Sequence, residues 1–460
     1  MANVDIEVGV GGGESETRPT NKTNKWWPWN TEEPKKSDVE ILLVCKGKGE
    51  EFSRKPSPSI YLIRSSDQKV KPKFFDPQVV SIGPLHREEE TLKKFEDQKT
   101  THLHHLLGKM NDKPHIVLDK CLEKVKASID RIRECYGETI TYTDSDLAKM
   151  MVMDACFILD FLFLSKELRR LKSRNAILTH SIFRDLVLIE NQIPFFVLQN
   201  IFDCTISTIQ TISLTSGVLE HLQFLIPFKG VRYNCVSGTT HPHHILGLLQ
   251  KCFYPPSCIE PTCPPLKVPN HCALDLDKAG VKFKPNKEDG NNPWPLNIDF
   301  NSSSSAFLSW CRGNNTLTIP ELHIDDYTEL FLRNVIAYEQ CTPDVPDYIT
   351  SYVCAIDMLI DTKEDLSKLV ESKVLTNHLG SNKDATKMLN RISKQFVFEE
   401  FYYTEEWKKL NDYYKGYVPR NMALLKSTYF SSPWTIIALF AGVVVFTFSI
   451  VQAILRIIKY

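Results

Sequence analysis

From Trp434 to Leu455 the chain reads WTIIALFAGVVVFTFSIVQAIL, twenty-two residues without one charge, at the end of a sequence that elsewhere mixes polar and apolar residues. At a rise of about 1.5 Å per residue such a stretch reaches roughly 33 Å as a helix, enough for a hydrocarbon core of about 30 Å. The hydroxyls of Thr435, Thr447 and Ser449 can bond carbonyls one turn back, so they do not obstruct a lipid-facing helix, and of its interior polar residues only Gln452 carries a noticeable cost. Trp434 before it, and Arg456, Lys459 and Tyr460 after it, are residues that favour a membrane interface. The expectation is one transmembrane helix over 434–456, with the lipid bilayer as a partner and a membrane, the plasma membrane first, as the location. Arg420 and Lys426 upstream balance Arg456 and Lys459 downstream, so flanking charge does not orient the helix. The first twenty residues have no basic start and no apolar run of signal-peptide length, so the bulk of the chain is expected in the cytosol.

Composition agrees with a globular body. Of 460 residues 42% are hydrophobic and 24% charged, and a net charge of −1 gives no basis for nucleic-acid binding. Thirteen cysteines are scattered, several in apolar segments such as Ala155-Cys156-Phe157, so buried thiols fit better than a disulfide framework. Sequons stand at Asn21, Asn301 and Asn314, of consequence only for an extracellular body.

Residues 1–56 are rich in Gly, Glu, Lys, Pro, Thr and Ser and read as a disordered tail, with Trp26, Trp27 and Trp29 as a docking point. Order is expected over 57–430. Ile60–Ile63 reads as a strand. Leu92, Phe95, Lys99, His102 and Leu106 recur at helical spacing, and 116–132 reads as one further helix. Leu147–Leu164 is apolar on nearly every side, which marks a buried helix, with Ser145 and Asp146 as its cap. The run from Phe183 is interrupted at Glu190-Asn191-Gln192 and Pro194, so a helix there ends or kinks near Ile193. Alternation at 281–284, 296–300 and 317–320 predicts a small antiparallel patch. Capping boxes are expected at Asp326–Glu329 and Asp361–Glu364. Tyr403, Trp407, Leu410, Tyr414 and Tyr417 form an aromatic seam that seals the core or, alternatively, joins two copies of the chain. The fold class is therefore mainly α, an α+β body with a small antiparallel β patch, followed by one transmembrane helix.

Three clusters bear on chemistry. His241, His243, His244, Cys252, Cys258, Cys263, His271 and Cys272 include soft ligands, but no paired spacing of a zinc site, so an irregular loop is expected and no metal or cofactor. Asp154, Asp160 and Glu190 lie in apolar runs, where burial would raise their pKa. Asp154 and Asp160 are about 240° apart on a helix and cannot share a pocket from that helix alone; capping or pairing in the core is the expectation. His102, His104 and His105 read as a solvated helix face. No nucleophile elbow, zinc-peptidase pair, phosphate loop or kinase signature occurs, so no catalytic residue is named and the chain is not expected to be an enzyme.

Several segments, in order, carry a family resemblance. Phe75-Asp76-Pro77-Gln78-Val79-Val80-Ser81-Ile82-Gly83-Pro84-Leu85-His86, Phe95–Lys99, Met151–Leu159, Asp185-Leu186, Ile189-Glu190-Asn191-Gln192-Ile193-Pro194-Phe195-Phe196, Ala279–Phe283 and Arg333-Asn334 through Tyr338-Glu339-Gln340 resemble the plant family called domain of unknown function 247. The motif residues are Gly83, Pro84, His86, Asp154, Glu190, Asn191, Gln192, Pro194, Tyr338, Glu339 and Gln340. The resemblance implies a helical plant protein with a C-terminal membrane helix and no assigned catalytic residues. Some similar grass proteins are linked to self-incompatibility. A binding partner that is another protein, in recognition or signalling, is therefore the expectation, with a membrane-tethered enzyme built on the buried carboxylates as its alternative. Glu190, Asn191 and Gln192 suit a polar network around the groups that Pro194 frees, or else a ligand pocket.

Overall fold

The computed structural model describes residues 57–63, 74–164, 176–229, 241–256, 271–286, 294–302, 315–393, 401–416, 419, 421 and 433–458. The expected tail 1–56, Cys258, Cys263, Asn314 and Tyr417 lie outside them.

The body is mainly helical. Its first half contains α1 (Glu96–Leu107), α2 (Pro114–Lys126), α3 (Asp144–Leu159), α4 (Ala176–Asp185), α5 (Phe195–Cys204) and α6 (Leu214–Leu222). The expected helix over 116–132 is two, because the chain breaks at Ala127-Ser128 before a short helix at Ile129–Glu134. α3 is the buried helix that its composition predicts: Leu147, Met151, Ala155 and Phe157 are sealed from solvent. Its cap is Thr143, whose hydroxyl accepts the amide of Asp146, and not Ser145 or Asp146. Past Leu159 it loosens into a π turn at Asp160–Leu164. The run from Phe183 is no kinked helix. α4 ends at Asp185, residues 186–194 are irregular, and Pro194 then stands as the cap of α5.

The second half holds α7 (Ile245–Lys251), α8 (Ala273–Lys278), β1 (Lys282–Pro285), β2 (Asp299–Asn301), β3 (Thr316–Ile319), β4 (Leu322–Ile324), α9 (Thr328–Cys341), α10 (Tyr348–Leu359), α11 (Lys363–Glu371), β5 (Leu375–Asn377), α12 (Asn382–Ile392) and α13 (Thr404–Lys415). The strand patch is mixed rather than antiparallel. β3 pairs parallel with β1, Phe283 opposite Leu317, and antiparallel with β2, Phe300 opposite Leu317; β4 and β5 pair in parallel. In β1 to β4 buried residues alternate with half-buried or exposed ones, whereas in β5 only Leu375 is buried; local pattern thus locates the first four strands, while strand direction depends on long connections. Ile60–Ile63 makes only a bridge from Ile60 to Tyr136.

Both predicted capping boxes are displaced by one residue. Asp325 accepts the amides of Tyr327 and Thr328 at the start of α9, and Thr362 with Asp365 forms the reciprocal box of α11. The aromatic seam of α13 faces inward. Tyr403, Trp407 and Leu410 are buried, the Tyr403 hydroxyl donates to the Leu296 carbonyl at 2.6 Å, and Tyr414 stacks on His271.

The last helix, α14 (Pro433–Ile458), is 26 residues long, and Phe440, Val445 and Phe446 are among its outward-facing side chains. Thr447 donates to the carbonyls of Val443 and Val444, and Ser449 to that of Val445. Among the described residues no helix is long and apolar enough to cross a membrane.

Candidate functional site

The segment Phe75–His86 forms no regular structure, yet Val80, Ser81, Ile82 and Gly83 are buried. Buried amides need partners, and here side chains from distant elements supply them. Asp185, at the end of α4, accepts the amides of Gln78, Val79 and Val80 at 3.0, 2.7 and 2.9 Å. Asn191 accepts the Ile82 amide at 2.7 Å and donates to the carbonyls of Val80 and Asp185. Asp154 of α3 accepts the Gly83 amide at 2.8 Å through Oδ2, while its Oδ1 meets Lys99 Nζ of α1 at 2.5 Å. Lys99 also donates to the Ser81 carbonyl and pairs with Glu96. Burial pushes Asp185 up to about 6, against the three amides that favour its charge.

Gly83 is required by this arrangement. Its φ is +77°, and a Cβ there would lie 2.6 Å from the backbone oxygen of Gln192. That oxygen also accepts the Tyr136 hydroxyl, and the Gln192 side chain donates to the carbonyls of Leu186 and Leu188. The irregular 186–194 turn is thus closed by its own glutamine, with Pro194 delivering the chain into α5.

His86 sits 5% exposed between two carboxylates. Its Nε2 is 2.8 Å from Glu190 Oε2 and its Nδ1 is 2.5 Å from Glu89 Oε1, while Glu190 Oε1 accepts the Ile63 amide at 2.7 Å. Burial alone would lower the His86 pKa, but the bonds and charges of Glu190 and Glu89 outweigh it and raise it. Asp76 lies against the same pair: one donor atom each from Asp76, His86 and Glu190 fall within 4.8 Å of one another, the one such cluster of metal-ligand types among the described residues.

The Tyr338-Glu339-Gln340 motif ends α9 and builds a second buried node. Glu339 accepts from Gln250 Nε2 and the Ile349 amide through one oxygen and from the Thr350 amide and hydroxyl through the other. It therefore caps α10 from another helix, a favourable place for a carboxylate. Burial pushes it up to about 7, those hydrogen bonds notwithstanding. Tyr338 bonds His243 at 2.8 Å and packs edge-on against His244, which is buried and bonded to the Ser59 carbonyl. Asn334 of the same motif links the two nodes, accepting the Ile189 amide and donating to the Phe74 carbonyl. Gln340 is exposed at the end of the helix.

The remaining sequence candidates are dispersed. His244 caps α7, His243 bonds Tyr338, His271 stacks on Tyr414 and Cys252 donates to the Leu248 carbonyl, so the described members of the cysteine-histidine set converge on no common point. The solvated reading of the α1 histidines needs correction for two of them. His102 and His105 both clamp Asp160, each with 2.6 Å to one carboxylate oxygen. Asp154 and Asp160 do engage the same helix, α1, at different residues and share no pocket. Lys99, Asp185, Asn334 and Glu89 were not singled out as site residues from the sequence. Visible signals existed for three: Lys99 lies on the stripe between Phe95 and His102 and so faces the core, and Asp185 and Asn334 stand in the segments that carry the family resemblance.

The family pattern described as a plant protein of unknown function, domain of unknown function 247, matches residues 60–448. The chain belongs to this family. Domain of unknown function 247 thus spans the whole body and reaches into α14, and all eleven motif residues fall within the match. The chain is similar to UPF0481 protein At3g47200 of Arabidopsis thaliana, 30% identical over 92% of this chain and 90% of that one. It is also similar to Putative UPF0481 protein At3g02645 of the same plant, 23% identical over 81% of this chain and 85% of the relative. No solved structure matches.

Proposed function

We propose that this member of the family is a single-pass membrane protein in which α14 spans the bilayer and the helical body, on the cytosolic side, binds another protein in recognition or signalling. The observation that carries the binding reading is the occupancy of the motif carboxylates. Asp154, Glu190 and Glu339 each use both oxygens on internal donors, so they hold backbone and neighbouring helices together. A general acid or base would instead keep an oxygen directed at substrate. This weighs against the membrane-tethered enzyme. Self-association through the α13 seam is disfavoured by the burial of Trp407.

The span reading is supported by the 26-residue length of α14, the uncharged sequence from Trp434 to Leu455 and the outward apolar side chains. The hydroxyls of Thr447 and Ser449 bond their own backbone, as a helix in lipid needs.

Carbonate extraction of plant-cell membranes tests it. The full chain is expected to stay in the pellet and a chain ending at residue 432 to be released. Release of both removes the span. Cross-linking of the full chain in membranes is expected to join it to a cytosolic protein, and glycan on Asn301, which is exposed on β2, would place the body on the other side.

A further inference from the structure

We propose that Asp76, His86 and Glu190 form a binding site for a divalent first-row transition metal, zinc being the ion of best match, with Glu89 holding the histidine from behind. Three independent features of the geometry meet here.

The first is donor placement. The three ligand atoms lie within 4.8 Å of one another, and His86 Nε2 and Glu190 Oε2 are 2.8 Å apart. Tetrahedral zinc ligands at about 2.1 Å stand about 3.4 Å apart, so His86 Nε2 and Glu190 Oε2 part by about half an ångström when the ion enters. One imidazole with two carboxylates is a mixed nitrogen and oxygen set, which suits zinc or iron better than magnesium.

The second is the outer shell. A metal-bound histidine usually gives its other ring N–H to a carboxylate, which fixes the tautomer and aims the ligand nitrogen. His86 Nδ1 faces Glu89 Oε1 at 2.5 Å, leaving Nε2 on Glu190. Glu190 is itself oriented, since its Oε1 is held by the Ile63 amide.

The third is charge. Asp76, Glu89 and Glu190 surround a single imidazole, and among the described residues no lysine or arginine pairs with any of the three. The nearby Arg87 and Lys99 are engaged by Glu96 and Asp154. With Glu190 almost wholly buried, a divalent cation would take over from the His86 proton the task of offsetting a carboxylate that water reaches poorly. On binding, the ion replaces the proton between Nε2 and Oε2, which leaves to solvent, and the Ile63 bond to Oε1 is kept.

The test uses the full chain in detergent, stripped with a chelator, then titrated with zinc chloride by calorimetry and assayed for bound zinc after dialysis. One zinc per chain is expected. Asp76→Ala removes a ligand from a half-buried position that bonds no described neighbour, so the thermal midpoint of stripped protein should not move while the dissociation constant rises at least about 10-fold; Asp76→Asn serves as a second variant. Glu89→Gln should weaken zinc by about 10–100-fold. Magnesium chloride should not compete at equal concentration. No retained zinc, unchanged affinity in both Asp76 variants, or magnesium bound as tightly as zinc would each overturn the proposal.

Discussion

Lys99 and Asp154, both wholly buried, meet at 2.5 Å between α1 and α3 and together hold the backbone of Ser81 and Gly83. An ion pair in such a place gains Coulomb energy only because each charge has further donors or acceptors; either partner alone is a liability. Lys99→Met and Asp154→Asn should therefore each cost about 3–5 kcal/mol in urea unfolding. The double variant should cost clearly less than their sum, and additive losses would show that the two residues act separately.

Gly83→Ala tests the loop's shape. The left-handed backbone alone costs a non-glycine residue about 1–3 kcal/mol, and the new Cβ would also press on the Gln192 oxygen at 2.6 Å. The thermal midpoint should fall by several degrees. An unchanged midpoint would mean that the loop is free to adopt another path.

Glu339→Ala leaves the Ile349 amide and both donors of Thr350 without their acceptor and Gln250 with the Pro346 carbonyl alone. The expected loss is about 1–3 kcal/mol, with amides at the start of α10 exchanging faster than those in α3. A loss confined to activity in cells, with stability intact, would move Glu339 from architecture to function.

His244 sets a pH dependence. Burial first, and then the neighbouring His243, lowers its pKa to about 3, although its bond to the Ser59 carbonyl works the other way. Its folded value lies below the ordinary histidine value of about 6.5, so the unfolded chain takes up the proton first. Stability from this group is complete above pH 6.5 and is lost as pH falls toward 3, at up to about 1.4 kcal/mol per unit. In His244→Asn the slope of stability against pH over that window should flatten by about one proton. An identical slope would show that His244 takes up its proton equally in the folded and unfolded chain.

The helices and strands were legible because burial leaves a period in the sequence, and α3, α13 and the three short strands at 282–285, 299–301 and 316–319 follow it. What the period does not encode is what lies opposite. The direction of β1 relative to β3, the grip of His102 and His105 on Asp160 and the three amides on Asp185 depend on residues far away in the chain. The motif residues were legible as a polar interruption of apolar runs, and the structure gathers Gly83, His86, Asp154, Glu190, Asn191 and Gln192 around one loop. Capping boxes slipped by one residue because Asp325-Asp326 and Asp361-Thr362 each offer two capping side chains in succession.

Side chains in and beside the family motif hold the backbone of the 78–83 segment. Native-state hydrogen exchange at the amides of Val80, Ile82 and Gly83 measures this most directly, because each is bonded by one carboxylate or amide oxygen, from Asp185, Asn191 and Asp154. Exchange as slow as that of the α3 amides, and faster at Gly83 in Asp154→Asn, is the predicted result. Exchange at the rate of an open loop would contradict it.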